Sequence, residues 1–96
     1  MKILAIISAA EGADFALIRQ HLAAELRGSW ELFTAGILRE AYATASPSRV
    51  VFMLETETPT QAQALLEDLP LVKAGAFTFE LIALRPFANW SLLFAK

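Results

Sequence analysis

The sequence predicts an α+β fold of the ferredoxin-like type, an antiparallel four-stranded sheet with two helices on one face. Three observations predict it: the order of the segments, the apolar residues on both faces of the strands, and the helical spacing in the two longest segments. The order is β-α-β-β-α-β, with strands over residues 3–8, 37–44, 49–55 and 76–84 and helices over residues 14–33 and 59–69. Because two helices cover only one face of such a sheet, we expect a second copy of the chain to cover the other.

Both predicted helices carry start signals and an apolar side. Asp14 is a suitable N-cap for the first helix, and Gly36 is a suitable stop after it. Thr58, Pro59 and Gln61 have the spacing of a capping box at the start of the second helix. The first helix has one apolar stripe, formed by Phe15, Ile18, Leu22, Leu26, Trp30 and Phe33. The second has its apolar side at Ala62, Leu65, Leu66 and Leu69.

Gly28 interrupts the first helix, and it either weakens this helix or allows another element to pack closely against it.

The second and third strands form a hairpin around a tight loop at residues 45–48. A four-residue loop pairs Thr44 with Arg49, Tyr42 with Val51, Glu40 with Met53 and Leu38 with Glu55. In this register one face carries Arg39, Ala41, Ala43, Val50, Phe52 and Leu54. The other face carries Leu38, Glu40, Tyr42, Arg49, Val51, Met53 and Glu55. A loop of odd length would shift the register, and this grouping would then fail.

The composition predicts a homo-oligomer. Hydrophobic residues make up 56% of the 96 residues and charged residues 19%, against roughly 45–50% and 25% in an ordinary soluble domain. A small domain has proportionally more surface and should be more polar than average. We therefore expect one domain over residues 1–84 with a buried subunit interface.

Charge and cysteine content exclude several classes of partner. The net charge is −2 and no run of Lys or Arg occurs, so we expect no nucleic-acid partner. No stretch reaches the ~20 apolar residues of a membrane span, and we interpret the short apolar segment at residues 3–7 as a strand rather than as part of a signal peptide. The absence of cysteine and the single histidine predict a cytoplasmic protein with no metal site.

Residues 85–96 form a C-terminal tail rich in aromatic residues and leucine, namely Phe87, Trp90, Leu92, Leu93 and Phe94. Such side chains are not left in water, so we expect the tail to pack on a neighbouring subunit or to cover a cavity.

The C-terminal half of the chain resembles muconolactone delta-isomerase and its relatives in the dimeric α+β barrel superfamily. The resemblance rests on residues 69–71, which end the second helix, and on the aromatic and acidic strand at residues 77–81, with Trp30 and the Thr58–Pro59 helix start at compatible places. It implies sheets that pair face to face across a two-fold axis. It also implies the migration of a double bond in a small lactone without a cofactor. The superfamily includes small monooxygenases and haem-degrading proteins.

Three residues on one face of the predicted hairpin are candidate catalytic groups: Glu40, Tyr42 and Glu55. Isomerisation without a cofactor needs a base that removes a proton beside a carbonyl and an acid that returns it. A carboxylate in a poorly solvated cavity suits both steps because desolvation raises its pKa. Such charges also occur at sheet rims and in interface ion pairs, and this alternative stays open.

Further residues are candidates for binding a small-molecule substrate. Arg39 could hold a carboxylate or carbonyl group, or pair with a helix glutamate. His21 lies at the edge of the apolar stripe, where it could move protons or simply be half-buried. The aromatic side chains of Trp30, Phe52, Phe79 and Trp90 could form the walls of an apolar site or belong to an ordinary core.

The sequence therefore predicts an enzyme similar to muconolactone isomerase that acts on a small oxygenated metabolite. Two alternatives remain open. One is a non-catalytic ligand-binding or structural oligomer of the same fold, and the other is a small cofactor-free monooxygenase.

Overall fold

The computed structural model describes residues 1–95, and Lys96, the last residue of the predicted tail, lies outside them. The elements are β1 (Lys2–Ala9), α1 (Phe15–Thr34), β2 (Leu38–Ala45), β3 (Ser48–Glu55), α2 (Pro59–Glu67), α3 (Pro70–Lys73), β4 (Phe77–Leu84) and a terminal 3-10 helix (Ala88–Phe94). The four strands form one antiparallel sheet in the order β2-β3-β1-β4. The ferredoxin-like α+β fold predicted from the sequence is confirmed.

The helix-facing side of the sheet carries the hydrophobic core. Ile3 on β1 pairs with Leu54 on β3, and Ala5 pairs with Phe52, so alternate residues of both strands point to the helices. These side chains are buried together with residues of α2 and the segment after it, namely Ala62, Leu66 and Leu69. The sheet, α2 and the segment after it therefore enclose the hydrophobic core.

The predicted register of the hairpin is confirmed over most of its length. Thr44 pairs with Arg49, Tyr42 with Val51, and Glu40 with Met53.

The predicted pairing of Leu38 with Glu55 is wrong. Leu38 pairs with Leu54 because the ladder has an irregularity between Leu38 and Glu40, at Arg39. The extra residue turns Leu38 to the helix side of the sheet, where it is buried, and leaves Arg39 exposed instead of on the apolar face.

The second helical region has two pieces instead of one. The hydroxyl of Thr58 accepts a hydrogen bond from the backbone N–H of Gln61, and the Gln61 side chain in turn accepts one from the backbone N–H of Glu57. This N-terminal cap starts α2 as predicted. Helix α2 ends at Glu67, and Pro70 then occupies the first turn of the short helix α3.

Helix α1 begins and ends where the sequence indicates. The Asp14 carboxylate accepts a hydrogen bond from the backbone N–H of Ala16 at 2.9 Å, and Gly36 follows the helix with a φ of 78°, a conformation that favours glycine.

The apolar stripe of α1 does not form its buried side. Most of the stripe is exposed in the single chain: the solvent-exposed fraction is 62% for Trp30 and 72% for Phe15. The helix instead packs with Gly28 against Leu69, since a Cβ atom on Gly28 would lie 3.0 Å from the Leu69 side chain. Gly28 thus allows the close approach between α1 and the start of α3.

The second face of the sheet is not covered by any helix of residues 1–95. Its centre is apolar, and its middle residues are half-buried by their neighbours within the sheet: Leu4, Ile6, Val51 and Met53. We call this surface the open face. Among residues 1–95, no helix is both long enough and apolar enough to cross a membrane.

Candidate functional site

The buried carboxyl group of Glu25 lies on α1 where the helix packs against α3. The Glu25 residue is 7% exposed, and its Oε1 atom accepts a hydrogen bond from the backbone N–H of Leu71 at 2.8 Å. That N–H belongs to the first turn of α3 and has no partner within its own helix. The close packing at Gly28 brings the two helices together, so the same contact buries the carboxyl group and supplies one donor to it.

Glu25 lines a cavity of about 280 Å³ between α1 and the sheet. Apart from Glu25 and Ser29, the residues around this cavity are apolar: Ile7, Leu22, Leu26, Ala41, Val50, Phe52 and Phe77. We call it the Glu25 cavity. Apolar walls with very few polar groups are typical of sites for small organic molecules.

A wider groove adjoins the Glu25 cavity along α1 and β2. It has a volume of about 450 Å³ and is lined by Leu26, Ser29, Trp30, Phe33, Leu38, Arg39, Glu40, Ala41 and Phe52. We call it the α1–β2 groove. Four residues, Leu26, Ser29, Ala41 and Phe52, line both spaces. A ligand in the Glu25 cavity would therefore reach solvent through the groove.

Burial raises the pKa of the Glu25 carboxyl above its ordinary value, and the hydrogen bond from Leu71 opposes this only in part. A neutral carboxylic acid can donate a proton, and its conjugate base in such surroundings accepts one more readily than an exposed carboxylate does. The electrostatic conditions expected for a proton-transfer group are thus met at Glu25.

Of the three predicted catalytic residues, two are directly linked. The Tyr42 hydroxyl donates a hydrogen bond to the Glu40 carboxylate at 2.7 Å, and both side chains are exposed on β2. This hydrogen bond raises the pKa of Tyr42. The pair lies on the open face of the sheet, with Glu40 also at the edge of the α1–β2 groove.

The third predicted catalytic residue, Glu55, lies at the opposite end of β3 from the hairpin loop. One of its carboxylate oxygens is 2.7 Å from the amino group of Met1. The hydrogen bond with this ammonium group lowers the pKa of Glu55. Glu55 is therefore in an ion pair and lines neither the Glu25 cavity nor the groove.

Three of the predicted substrate-binding residues meet at the α1–β2 groove. Phe52 is buried at its floor, Trp30 stacks on Phe33 with ring centroids 5.2 Å apart, and the Arg39 Nε donates to the Gly36 carbonyl at its rim. His21 is half-buried four residues before Glu25, so both lie on the same side of α1.

The other two predicted substrate-binding residues lie elsewhere. Phe79 is half-buried on β4 and packs against the core under the helices. Trp90 is exposed in the tail, where it contacts Phe87 edge to face at 5.1 Å between centroids. Neither residue lines the Glu25 cavity.

Glu25 is absent from the residues predicted from the sequence. It lies off the apolar stripe of α1, and a charged residue there is normally solvated. The signal that could have found it is Gly28, within one turn of Glu25, where close packing of another element was one of the two alternatives and is the one observed. In the described part of the chain, no three acidic or histidine side chains lie close enough to hold a metal ion.

Comparison with known proteins supports the fold. No family model and no curated protein matches the sequence. Among solved structures, the chain is similar to 5-chloro-2-hydroxyhydroquinone dehydrochlorinase from Burkholderia phenoliruptrix AC1100 in complex with 2,5-dihydroxybenzoquinone. The TM-score is 0.70 at 17% sequence identity, and the alignment covers 88% of this chain and 94% of the dehydrochlorinase. At this level of identity the likeness shows the ferredoxin-like α+β fold.

Proposed function

We propose that this protein is an enzyme that transforms a small, partly apolar, oxygenated metabolite by proton transfer without a cofactor. The observation that carries the proposal is the buried Glu25 carboxyl in an apolar cavity of about 280 Å³. The similarity to a dehydrochlorinase of a substituted hydroquinone supports the same class of substrate. Migration of a double bond, as in the muconolactone isomerase that the sequence resembles, is the specific reaction we propose.

The geometry suggests how the proton would move. The Leu71 N–H holds Oε1 of Glu25, and the second oxygen is the one that takes the proton from the carbon beside the substrate carbonyl. The electrons of the broken C–H bond move into the carbonyl to form an enolate. Return of the proton from Glu25 to another carbon completes the shift of the double bond. The raised pKa of Glu25 suits it to both halves of this cycle.

Glu40, Tyr42 and Glu55 stay a prediction for a site on the open face. Assembly of two copies through that face would remove Glu40 and Tyr42 from water and bring them close to the partner. The apolar centre of the face, with Ile6 and Val51, supports such a homodimer. The two candidate sites can be compared by replacing one carboxylate at a time: Glu25 in the cavity, and Glu40 or Glu55 on the open face.

The first experiment uses muconolactone in D₂O and follows the exchange of its C–H protons by NMR, which detects proton transfer even when no product accumulates. We expect the protein to catalyse exchange and Glu25→Gln to reduce the rate by about 10²–10⁴-fold, the usual contribution of a general base. Glu31→Gln, on an exposed residue of the same helix, is the matched control and should keep the full rate.

Other outcomes identify the alternatives. A large loss in Glu40→Gln or Glu55→Gln with none in Glu25→Gln would move the site to the open face. Binding of 2,5-dihydroxybenzoquinone without any exchange or turnover would favour the non-catalytic oligomer. A product that forms only in the presence of oxygen would identify a monooxygenase.

A further inference from the structure

We propose that the C-terminal tail of one copy docks into the α1–β2 groove of a second copy and closes the Glu25 cavity of that copy. The docking itself is independent of the proposed reaction. Only the consequence for catalysis, a site completed by a neighbouring subunit, rests on the proposed function.

The tail is exposed along its whole described length. Every residue from 85 to 95 is exposed, and the large side chains are among the most exposed of the protein, from Phe87 at 62% to Phe94 at 82%. The segment from Ala88 to Phe94 contains no charged residue. Its only side-chain hydrogen bond among residues 1–95 is local, from the Ser91 hydroxyl to the Ala88 carbonyl.

The tail does not cover the groove of its own chain. It leaves the sheet from β4, whereas the groove borders β2, and these strands form opposite edges of the sheet. The 20 residues of α1 span about 30 Å, but the described chain is 61 Å long and only 29 by 19 Å across. The extra length shows that the tail projects away from the body. None of residues 85–95 lines the groove or the Glu25 cavity.

The α1–β2 groove matches the tail in chemistry. It is largely apolar, with exposed Leu26, Trp30 and Phe33 on the helix side and Ala41 on the strand side. Its charged residues are Arg39, whose Nε donates to the Gly36 carbonyl, and Glu40, whose carboxylate accepts from the Tyr42 hydroxyl. An uncharged aromatic segment can therefore be buried there while both charged groups keep a hydrogen-bond partner.

The exposed area favours a second copy as the occupant. Three aromatic residues and two leucines at this exposure leave on the order of 600 Å² of apolar surface in water on one tail. Reciprocal docking of two tails would bury more than about 1,000 Å², which is enough for a specific interface. Each copy has one tail and one groove, so in a dimer both tails and both grooves can be buried.

A docked tail would lie at the entrance of the Glu25 cavity because Leu26 and Ser29 line both spaces. Removal of water from that entrance would strengthen the electrostatic interactions of Glu25 with a ligand. The second copy then contributes a wall of the site that the single chain lacks.

Cysteine cross-linking tests the docking directly because the chain contains no cysteine. Ser29→Cys places a thiol in the groove and Ser91→Cys places one in the tail, and both changes are nearly isosteric. We expect a mixture of the two single variants to give a covalent heterodimer with a short bis-maleimide reagent. Ser46→Cys, in the exposed hairpin loop, is the control and should react with the tail variant far less. Equal yields with Ser29→Cys and Ser46→Cys would overturn the proposal.

Tryptophan fluorescence gives a second and independent test, since the chain has only two tryptophans. Trp30→Phe leaves Trp90 to report on the tail, and Trp90→Phe leaves Trp30 to report on the groove. We expect both variants to show blue-shifted emission that is lost on dilution, and Leu93→Asp in the tail to abolish the shift of Trp30. Emission of Trp90 identical to that of a peptide of residues 85–96 at every concentration would contradict the docking.

The two proposals fail separately. If the cross-linking is not specific but Glu25→Gln slows proton exchange as expected, the docking proposal is wrong and the proposed reaction stands. Specific cross-linking without any effect of Glu25→Gln would keep the interface and remove the proposed catalytic role.

Discussion

The Oε1 atom of Glu25 accepts a 2.8 Å hydrogen bond from the backbone N–H of Leu71, and this contact joins α1 to α3 across 46 positions of the chain. Both residues are buried, so the hydrogen bond satisfies two polar atoms that have little contact with water. A single N–H donor lowers the pKa of the Glu25 carboxyl less than burial raises it, so the effect of desolvation is the larger one. The same hydrogen bond therefore links α1 to α3 and leaves the pKa of the carboxyl group raised.

Glu25→Gln should make stability less dependent on pH. Burial raises the pKa of Glu25 in the folded chain above its value in the unfolded chain, so the folded state holds the proton more tightly. The wild type should lose stability as the pH rises from the ordinary range of a glutamate through the raised pKa. The side chain of Glu25→Gln is neutral at every pH, so this variant does not lose stability in that way. Urea unfolding at about pH 4 and pH 8 should show a gap in favour of Glu25→Gln that grows with pH, whereas Glu31→Gln should show no such growth.

Glu25→Ala should be less stable than Glu25→Gln at every pH. The amide oxygen of glutamine can still accept from the Leu71 N–H, but alanine leaves that buried donor without a partner. An unsatisfied buried group costs about 1–3 kcal/mol. The difference in the free energy of unfolding between the two variants measures this cost. Equal stabilities would mean that water replaces the carboxyl group.

Gly28→Ala should destabilise the protein although alanine is the better helix former. The higher helix propensity of alanine alone would stabilise α1 by at most about 1 kcal/mol. However, the new Cβ would lie 3.0 Å from the Leu69 side chain. Leu69 is 4% exposed and has little room to move, and such overpacking costs about 1–3 kcal/mol. We expect a net loss of roughly 1 kcal/mol in chemical unfolding. Ala23→Gly, at an exposed position of α1, measures the propensity alone.

Val51→Arg should convert the proposed sheet-to-sheet dimer to a monomer. Val51 lies between Ile6 and Tyr42 on the open face, and a guanidinium group there would be buried between two sheets without an opposite charge directly across the strands. Sedimentation velocity should show the change of mass while the circular dichroism of the fold is kept. Gln63→Arg, on the exposed surface of α2, should leave the assembly unaltered. An unchanged mass for Val51→Arg would exclude the open face as the interface.

The order of the main elements could be predicted because each leaves a periodic pattern or a cap in the sequence. Thr58 and Gln61 mark the start of α2 chemically, and the length of the loop at residues 45–48 predicts three of the four pairs in the hairpin correctly. The irregularity at Arg39 could not be foreseen, since one extra residue leaves the composition of the strand unchanged. Helix α3, with four residues, is too short to show any period.

The candidate site was predicted less well for a physical reason. Periodicity finds the apolar side of α1, but it does not tell whether that side faces the core of the same chain or another molecule. The exposed stripe with Trp30 shows that the apolar side and the buried side differ here. The polar residue on the buried side, Glu25, owes its position to the packing of Gly28 against Leu69, which is a contact between distant parts of the chain.

The central position of β1 has a consequence for how the chain folds. This strand lies between β3 and β4, and its Lys2 pairs with Leu84, nearly the whole length of the chain away. Contacts of such long sequence separation close large loops before they gain any energy, so they slow the search for the native state. We therefore expect folding to be slower than that of helical bundles and faster than that of all-β domains. Until β4 pairs with β1 during folding, one edge of β1 is unpaired, and a strand of a neighbouring chain can pair with it.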